Sequence, residues 1–302
     1  MVVFFFFIKM SFQLKNSINI SLPLVKILDI GAMKEGIERF HDLVTHNLAF
    51  IIGFEPNIEE FSKLKSDSNK IYLPYFLGTG NQETFHLTAY PGCSSLFEPD
   101  PSVIDIFQSI GAGSSDGNFY VTNKEKIQTK KLDEINEIKN IDFIKIDTQG
   151  SELNILKNAV KTLKKTLIIE TEVEFIPLYK NQPLFGDIQV FLREHGFILH
   201  KFIDVAGRAL VPMQGEIITA PMSQLLWADA VFIRDYTKLE LFNDKELLKS
   251  ALIMNDVYNS YDLVLYFLTE YDKRRNTNLA LKYISFLDNF PSPELKFLNI
   301  KT

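Results

Sequence analysis

Acidic side chains stand at the ends of successive apolar runs in this sequence. The runs end at Asp29, at Glu55, at Asp147 and at the pair Glu170 and Glu172. Where strands alternate with helices, the strands form a parallel sheet, and ligands collect at the carboxyl ends of those strands. One such acid is often only a helix cap or a solvated group, whereas several at one edge favour a ligand site. The pattern predicts a set of carboxylates along the carboxyl edge of one sheet.

The first two acids have the spacing of a nucleoside-binding site. Glu55 follows Asp29 by 26 residues, near the separation of about 20 at which an acid after the second strand accepts ribose hydroxyls. Gly31 lets the backbone turn sharply near a ligand. Gly31 and Gly36 stand alone, so the glycine patterns that cradle a dinucleotide or a nucleoside triphosphate are missing. A nucleoside with no phosphate and a cationic or zwitterionic tail suits Asp29, and S-adenosylmethionine has those properties.

The elements that must position these acids are predicted from apolar periodicity. Short apolar runs predict strands, and apolar residues at helical spacing between them predict helices. The last two strands have no convincing helix between them, which predicts an antiparallel hairpin at one sheet edge. The predicted strands cover residues 26–29, 49–55, 71–77, 84–89, 141–147, 167–172, 197–203 and 228–233.

The remaining patterns divide the chain into three parts. Apolar helix faces are expected within residues 37–44, 58–64 and 153–163, and a further helix is expected to be capped by Asp187 and ended by Gly196. The glycine- and proline-bearing stretch 91–120 is expected to be a lid or disordered. We predict an N-terminal extension, an α/β domain and a helical C-terminal extension over residues 1–23, 24–235 and 236–302.

Composition narrows the class of protein. Apolar residues make up 46% and charged residues 23%, which is typical of a soluble globular protein. The 38 acidic residues outnumber the 32 Lys and Arg residues, and no basic stripe is present, so nucleic acid is not an expected partner. Cys93 is the only cysteine, so an intrachain disulfide cannot form and a reducing, cytoplasmic location is expected.

The sequence starts with an apolar run over residues 1–8. This run lacks the basic region and the cleavage site of a signal sequence, and it is far shorter than the roughly 20 apolar residues that span a bilayer. We therefore expect no membrane span. The run is interpreted either as an extra strand or as sequence upstream of a true start at Met10.

The string Ile141 to Leu156 is similar to the signature of the FkbM-type methyltransferases. Further segments sit where that family has similar sequence, namely residues 53–56, 93–96, 131–133 and 169–175. The resemblance covers about residues 24 to 235. It implies an S-adenosylmethionine-dependent enzyme of class I fold that usually methylates a hydroxyl, often on a sugar or a natural product. The first turn departs from the family, with Lys34 and Glu35 in place of smaller residues.

The resemblance also implies roles for individual residues. Asp147 is expected to face the transferred methyl group and to orient or deprotonate the acceptor hydroxyl. Because an alcohol is a poor acid, it needs a general base or a metal that lowers its pKa. Glu170 and Glu172 are candidates either to support Asp147 or, together with Asp147, to bind Mg²⁺. Glu152 is a candidate for the same two roles, or its charge only stabilises the N-terminus of its helix. Ser95 is expected to line the cofactor site or only to make a turn.

We therefore predict a Rossmann-like class I methyltransferase with a mostly parallel seven-stranded sheet, an antiparallel edge hairpin and a helical C-terminal appendage. Asp29, Gly31, Glu55 and Ser95 are the predicted cofactor-binding residues, and the predicted acceptor is a glycan or other small-molecule hydroxyl. A non-catalytic Rossmann-like scaffold of a glycan-assembly system stays open, as does a homo-oligomer or a protein partner bound by the C-terminal helices. A nicotinamide-dependent oxidoreductase is disfavoured by the missing glycine pattern.

Overall fold

The computed structural model describes residues 12–34, 36–220 and 223–288. These residues form two compact units. The larger unit comprises Lys26–Gly36 and Phe50–Tyr236, and the smaller unit contains the other described residues. The expectations for the apolar run at residues 1–8 and for a start at Met10 lie outside the described residues.

A seven-stranded sheet forms the centre of the larger unit. Its strand order is β3-β2-β1-β6-β7-β9-β8. The pairs β2–β3, β1–β6 and β6–β7 are parallel, whereas β9 is antiparallel to both β7 and β8. The predicted mostly parallel sheet with an antiparallel hairpin at one edge is therefore confirmed. The strands are β1 Val25–Ile30, β2 Ala49–Phe54, β3 Lys70–Leu73, β6 Phe143–Ile146, β7 Ile168–Glu174, β8 Phe197–Gly207 and β9 Leu225–Arg234.

A second, two-stranded sheet is separate from the first. It pairs β4 (Gln82–Thr88) with β5 (Val121–Gln128) in antiparallel fashion. The sequence did not predict β5, because most of its residues are polar and exposed and show no apolar alternation. The stretch 91–120 is packed in the structure, with a 3₁₀ turn at Pro91–Cys93 and the short helix α4 at Pro101–Ile104. Its apolar residues contribute to a buried cluster that includes Phe107, Phe119 and Tyr179.

The helices of the larger unit correct three expectations. Helix α3 (Ile58–Lys63) buries none of its residues, and Ile58 is 80% exposed, so the predicted apolar face is wrong. The single helix expected within 153–163 is two short helices, α5 (Glu152–Lys157) and α6 (Val160–Leu163). Helix α7 (Phe185–Glu194) is capped at Leu184, whose N–H donates to the Asp187 carboxylate (2.9 Å), so Asp187 is not the cap residue. Gly196, with φ +83°, ends this helix as predicted.

The smaller unit is helical. It contains the helices of the predicted C-terminal appendage. The buried Asn255 in this unit donates to the carbonyl of Phe12 (2.7 Å) and accepts from the Tyr283 hydroxyl (2.7 Å). The helix expected from Ile37 begins only at His41, and Ile37 is exposed. Within the described residues, no helix has both the length and the apolar composition needed to cross a bilayer. The helices are α1 Leu14–Ile18, α2 His41–Thr45, α8 Asp244–Asp256, α9 Tyr261–Arg275 and α10 Leu279–Leu287.

Side chains alternate in direction along each strand, so the apolar core and the acids of the larger unit lie on opposite faces of the sheet. Leu28, Ile144 and Ile169 face one apolar core together with residues of α5, α6 and α7. Because successive side chains of a strand point to opposite faces, the residues next to these in sequence lie on the other face of the sheet. That face carries the charged residues described below.

Candidate active site

A charged row crosses the three central strands of the sheet. Asp29 on β1, Lys145 on β6 and Glu170 on β7 are direct register partners, so they lie side by side on one face. The Lys145 Nζ is 3.8 Å from Asp29 Oδ1 and 3.7 Å from Asp147 Oδ2. Both Asp29 and Glu170 are buried. The lysine supplies the opposite charge that buried carboxylates require.

Gly31 brings the ends of β1 and β6 into contact. Its φ of +82° favours glycine, and a Cβ at this position would overlap the carbonyl oxygen of Asp147. The N–H of Gly31 donates to the Phe54 carbonyl (3.0 Å), and the N–H of Asp147 donates to the Ile30 carbonyl (3.0 Å). The predicted sharp turn at Gly31 is therefore present. The close approach that requires glycine here is to the backbone of Asp147.

Glu55 follows β2 directly and is buried. Its Oε1 accepts a hydrogen bond from the N–H of Asn57 (2.8 Å), and the Asn57 side chain caps the N-terminus of α3. Burial raises the pKa of Glu55 to about 6, and the Asn57 hydrogen bond opposes this shift. The carboxyl group is thus held in one orientation at the end of the second strand.

Gln149 links Asp147, which follows β6, to Glu172, which lies on β7. Its Nε2 donates to Glu172 Oε2 (2.7 Å) and to Asp147 Oδ1 (3.2 Å), and its Oε1 accepts from the Tyr179 hydroxyl (3.0 Å). The residue has a φ of +56°, an uncommon conformation for a side chain of this kind. The side chain therefore holds two carboxylates at a fixed separation.

Two acids on β7, Glu172 and Glu174, have raised pKa values. Burial raises the pKa of Glu172 well above its ordinary value, and Asp147 and Glu174 add to the effect. Burial likewise raises the pKa of Glu174, with contributions from Glu152 and Asp147. Strand β7 extends to Glu174, so Glu170 and Glu172 lie within the strand rather than at its end, where they were expected. The alternation of Glu170, Glu172 and Glu174 in sequence already places all three on one face.

Glu152 supports the turn that carries Gln149. The carboxylate is buried, and its Oε1 accepts from the N–H groups of Thr148 (2.7 Å) and Gly150 (3.2 Å) and from the Thr148 hydroxyl (3.0 Å). Burial raises its pKa to about 7. These contacts assign Glu152 a structural role in the turn between β6 and α5.

Ser95 is buried against the same turn. Its hydroxyl donates to the carbonyl of Gln149 (2.6 Å) and accepts from the N–H of Phe97 (2.9 Å). The stretch that follows β4 is thereby attached to the carboxyl edge of the main sheet. Both contacts are with other residues of the protein, so cofactor binding by Ser95 stays a prediction.

The structure does not support the predicted Mg²⁺ site at Asp147, Glu170 and Glu172. Among the described residues, no group of three or more His, Cys, Asp or Glu side chains could hold a metal ion. The reason is visible in the contacts, because the amide Nε2 of Gln149 bonds to both Asp147 and Glu172, and Glu170 is the register partner of Lys145. The Gln149 amide nitrogen lies against Asp147 and Glu172, and the Lys145 Nζ is 3.7 Å from Asp147, where a cation would have to bind.

The sequence reasoning missed the roles that three residues have in this site: Lys145, Gln149 and Tyr179. Lys145 gave a signal that could have been used, since it is the single charged residue in the apolar run Phe143–Ile146. Gln149 stands within the family-like string, but its side-chain contacts depend on a turn conformation that sequence does not specify. Tyr179 lies 30 residues after Gln149 in sequence and is completely buried.

The strand order, with β9 antiparallel beside β7, is that of a class I methyltransferase fold. A family model described as the methyltransferase FkbM domain matches residues 29–199. The chain therefore belongs to the FkbM methyltransferase family, and the resemblance inferred from the sequence is confirmed.

Individual relatives are more distant. A curated protein of Jannaschia sp. (strain CCS1), described as "Putative methyltransferase", is 24% identical over 135 residues, which are 42% of this chain and 42% of that protein. The crystal structure of precorrin-6y C5,15-methyltransferase from Geobacter metallireducens GS-15 is 12% identical, with a TM-score of 0.33 over 73% of this chain and 86% of that chain. A methyltransferase from Thermoplasma acidophilum, called putative, is 9% identical, with a TM-score of 0.36 over 71% and 70%. The family assignment rests on the family model and not on these similarities.

Proposed function

We propose that this protein is an S-adenosylmethionine-dependent O-methyltransferase that acts on a hydroxyl of a sugar, a glycan or a natural product. The observation that carries the proposal is the placement of Asp29, Glu55 and Asp147 at the carboxyl ends of three neighbouring strands of a class I sheet. Ligands bind at this edge in open α/β sheets.

The residues at this edge fit the cofactor. Glu55 is buried in a fixed orientation, and an acid after the second strand suits the two hydroxyls of a ribose. Asp29 and Lys145 present a carboxylate and an ammonium group side by side, which suits the zwitterionic tail of a methionine. Gly31 and Ser95 complete the proposed cofactor-binding set. When bound, S-adenosylmethionine supplies a methyl group on a positively charged sulfonium.

Asp147 is the proposed catalytic residue. Its side chain is 34% exposed, whereas that of Asp29 is 5% exposed, so Asp147 is the more accessible of the two acids that contact Lys145. An acceptor hydroxyl is a poor acid, and a carboxylate within hydrogen-bond reach can orient it and take its proton. Lys145 and Gln149 hold the Asp147 carboxylate on two sides, which fixes where that proton is received. Positioning of this kind supplies much of the rate of a displacement.

Glu172 and Glu170 have supporting roles in this proposal. Glu172 shares the Gln149 amide with Asp147, and burial, together with the charge of Asp147, raises the pKa of its carboxyl group. Glu170 completes the charged row with Lys145. The proposal requires no metal ion.

Transfer of a labelled methyl group tests the proposal. The full-length protein is incubated with methyl-labelled S-adenosylmethionine and a glycan extract, and label in the glycan fraction is measured. We expect the wild type and the control Asp67→Asn, an exposed acid in another loop, to transfer label, and Asp147→Asn to transfer at least about 100-fold less, within the range of general base catalysis.

Cofactor binding by the same variants separates the alternatives. If Asp147→Asn binds S-adenosylmethionine and still transfers label normally, the assignment of Asp147 is wrong. If the wild type neither binds the cofactor nor transfers label, a non-catalytic scaffold of a glycan-assembly system is favoured. Loss of one methyl group from surface glycans in a strain lacking the gene, measured by mass spectrometry, would identify the acceptor. A cytoplasmic location and a partner of the C-terminal helices stay predictions.

A further inference from the structure

Arg208, the residue directly after β8, lies over the ring of Trp227 on β9. The Cζ atom of its guanidinium group is 4.8 Å from the ring centroid. A cation over the face of an aromatic ring is attracted to it, and the contact orients the planar guanidinium group. Both side chains are partly exposed. The two side chains therefore form a charged and aromatic surface that a ligand can reach.

Strand register places this surface beside the acids of the candidate active site. Glu174 on β7 is the register partner of Trp227. Side chains of directly opposed residues in an antiparallel pair lie on the same face of the sheet, so Trp227 shares the face of Glu170, Glu172 and Glu174. Since β7 and β8 are both antiparallel to β9, they run in the same direction and end at the same edge. Arg208 therefore lies at the carboxyl edge of the sheet.

Buried contacts connect Trp227 to the proposed general base. Trp227 packs against the buried cluster that includes Tyr179. The Tyr179 hydroxyl donates to Gln149 Oε1 (3.0 Å), and Gln149 Nε2 donates to Asp147 Oδ1 (3.2 Å). One continuous set of packed and hydrogen-bonded side chains thus fixes the position of Arg208 relative to Asp147.

The guanidinium group of Arg208 has no acidic partner within the described residues. No Asp or Glu of those residues makes an ion pair with it, and its Nη1 donates instead to the Gly207 carbonyl (2.7 Å). In the same part of the chain, its Nε is buried and has no hydrogen-bond acceptor. Burial lowers the pKa of this group, and the Cys93 thiol opposes the shift. Because buried cations and donors normally have partners, Arg208 is suited to an anion that comes from a ligand.

The position of Arg208 favours the acceptor over the cofactor as the source of that anion. Strand β8 is four strand positions from β1, which is about 19 Å at the usual spacing. Asp29 and Lys145, the residues proposed to hold the methionine tail of the cofactor, are on β1 and β6. The carboxylate of that tail would therefore bind far from Arg208.

A negatively charged acceptor needs a cation at this edge, because Asp147 and the acids of β7 repel it. Lys145 already contacts two of the acids, Asp29 (3.8 Å) and Asp147 (3.7 Å). A guanidinium group binds the oxygens of a carboxylate or a phosphate with its forked N–H groups. We infer that Arg208, oriented by Trp227, binds an anionic group of the acceptor, either a carboxylate or a phosphate. The inference rests on the proposed methyl transfer, because it takes the ligand to be the methyl acceptor.

Direct binding of small sugars tests the inference without methyl transfer. Trp227 is the only tryptophan, so its emission reports a ligand at Arg208. The full-length protein is titrated with glucuronate, with glucose 6-phosphate and, as the neutral match, with glucose. We expect a saturable change with at least one of the two anions and none with glucose at the same concentrations. Comparison of glucuronate with glucose 6-phosphate distinguishes a carboxylate site from a phosphate site.

Three variants assign the binding to the guanidinium group. Arg208→Gln should weaken binding of the sugar anion by at least about tenfold, because a charge-assisted hydrogen bond is lost. Arg208→Lys keeps the charge without the planar fork and should bind with intermediate affinity. The matched control is Arg193→Gln, the same change at an exposed arginine of α7, which should bind as the wild type does. Circular dichroism checks folding, and Arg208→Lys carries the test if Arg208→Gln does not fold.

The labelled products of the transfer assay give a second measurement. Separated by anion exchange, the methylated glycans should elute as anions. Arg208→Gln should lower the amount of this product at low acceptor concentration and leave the affinity for S-adenosylmethionine unchanged, because Arg208 is distant from the proposed cofactor residues.

Four results would overturn the inference. They are sugar anions that bind no more tightly than glucose, an Arg208→Gln protein that binds them as the wild type does, an Arg193→Gln control that loses binding equally, and label that elutes only with neutral glycans. The last of these would still support the proposed function. A wild type that binds a sugar anion through Arg208 but neither binds S-adenosylmethionine nor transfers label would contradict the proposed function, and with it the identification of the anion as a methyl acceptor.

Discussion

Replacing Glu55 by glutamine should stabilise the protein at pH 8 while weakening its cofactor binding. Burial raises the pKa of Glu55 from 4.5 to about 6, so ionisation of this carboxyl group is less favourable in the folded protein than in the unfolded chain. The difference corresponds to about 2 kcal/mol at a pH above both values. The Glu55→Gln side chain keeps an oxygen that can accept from the N–H of Asn57, and it cannot ionise.

The sign of the pH dependence follows from the raised pKa. Below about pH 4.5 both states of the wild type hold the proton, and the contribution of Glu55 to stability is fully present. As the pH rises through about 6, the unfolded chain has already lost the proton and the contribution disappears. We therefore expect Glu55→Gln to match the wild type near pH 4.5 and to gain up to about 2 kcal/mol in the free energy of unfolding at pH 8.

Urea denaturation at the two pH values measures this difference, and Glu59→Gln, an exposed acid on the adjacent helix, is the control. At pH 8 the same Glu55→Gln variant should bind S-adenosylmethionine about tenfold more weakly, because a hydrogen bond to a charged acceptor is stronger than one to a neutral amide. A Glu55→Gln protein that is less stable than the wild type at pH 8 would refute the reasoning, as would a gain of the same size at both pH values.

Three other substitutions test the geometry of the larger unit by urea denaturation and circular dichroism. Gly31→Ala should lower the free energy of unfolding by about 3 kcal/mol or more, because its Cβ would overlap the backbone of Asp147; a loss below 1 kcal/mol would contradict this. Asp133→Ala removes the carboxylate that accepts the first N–H groups of α6 and should cost about 1–2 kcal/mol; a neutral effect would contradict its role as a cap. Gln149→Glu brings a third carboxylate against Asp147 and Glu172, so it should destabilise the protein more at pH 8 than at pH 5, and an equal loss at both would contradict the arrangement.

The main sheet could be predicted because its central strands are largely apolar runs. The string Phe143–Ile146 and the following Asp147 show this directly, since burial on both faces requires an almost continuous apolar run. Strand β5 could not be predicted, because it is exposed on its surface and carries no apolar alternation. The prediction of a buried face on α3 was wrong although the apolar pattern was present. Ile58 and Phe61 have helical spacing, yet α3 is short and buries none of its residues.

The acids of the candidate site could be predicted individually, but the contacts that they make with one another and with neighbouring side chains could not. The row of Asp29, Lys145 and Glu170 follows from strand register, which depends on the packing of the whole sheet. The links that Gln149 makes depend on its positive φ and on Tyr179, which lies 30 residues further along the chain. For the same reason the sequence suggested a metal among these acids, where the structure places amide and ammonium nitrogens.

Calorimetric titration of the full-length protein with S-adenosylmethionine tests the central claim most directly. We expect one site per chain, an affinity at least about tenfold weaker in Glu55→Ala because a buried hydrogen-bond partner is lost, and no heat of binding with NAD. Absence of binding to the wild type, an affinity unchanged in Glu55→Ala, or binding of NAD instead would contradict the account.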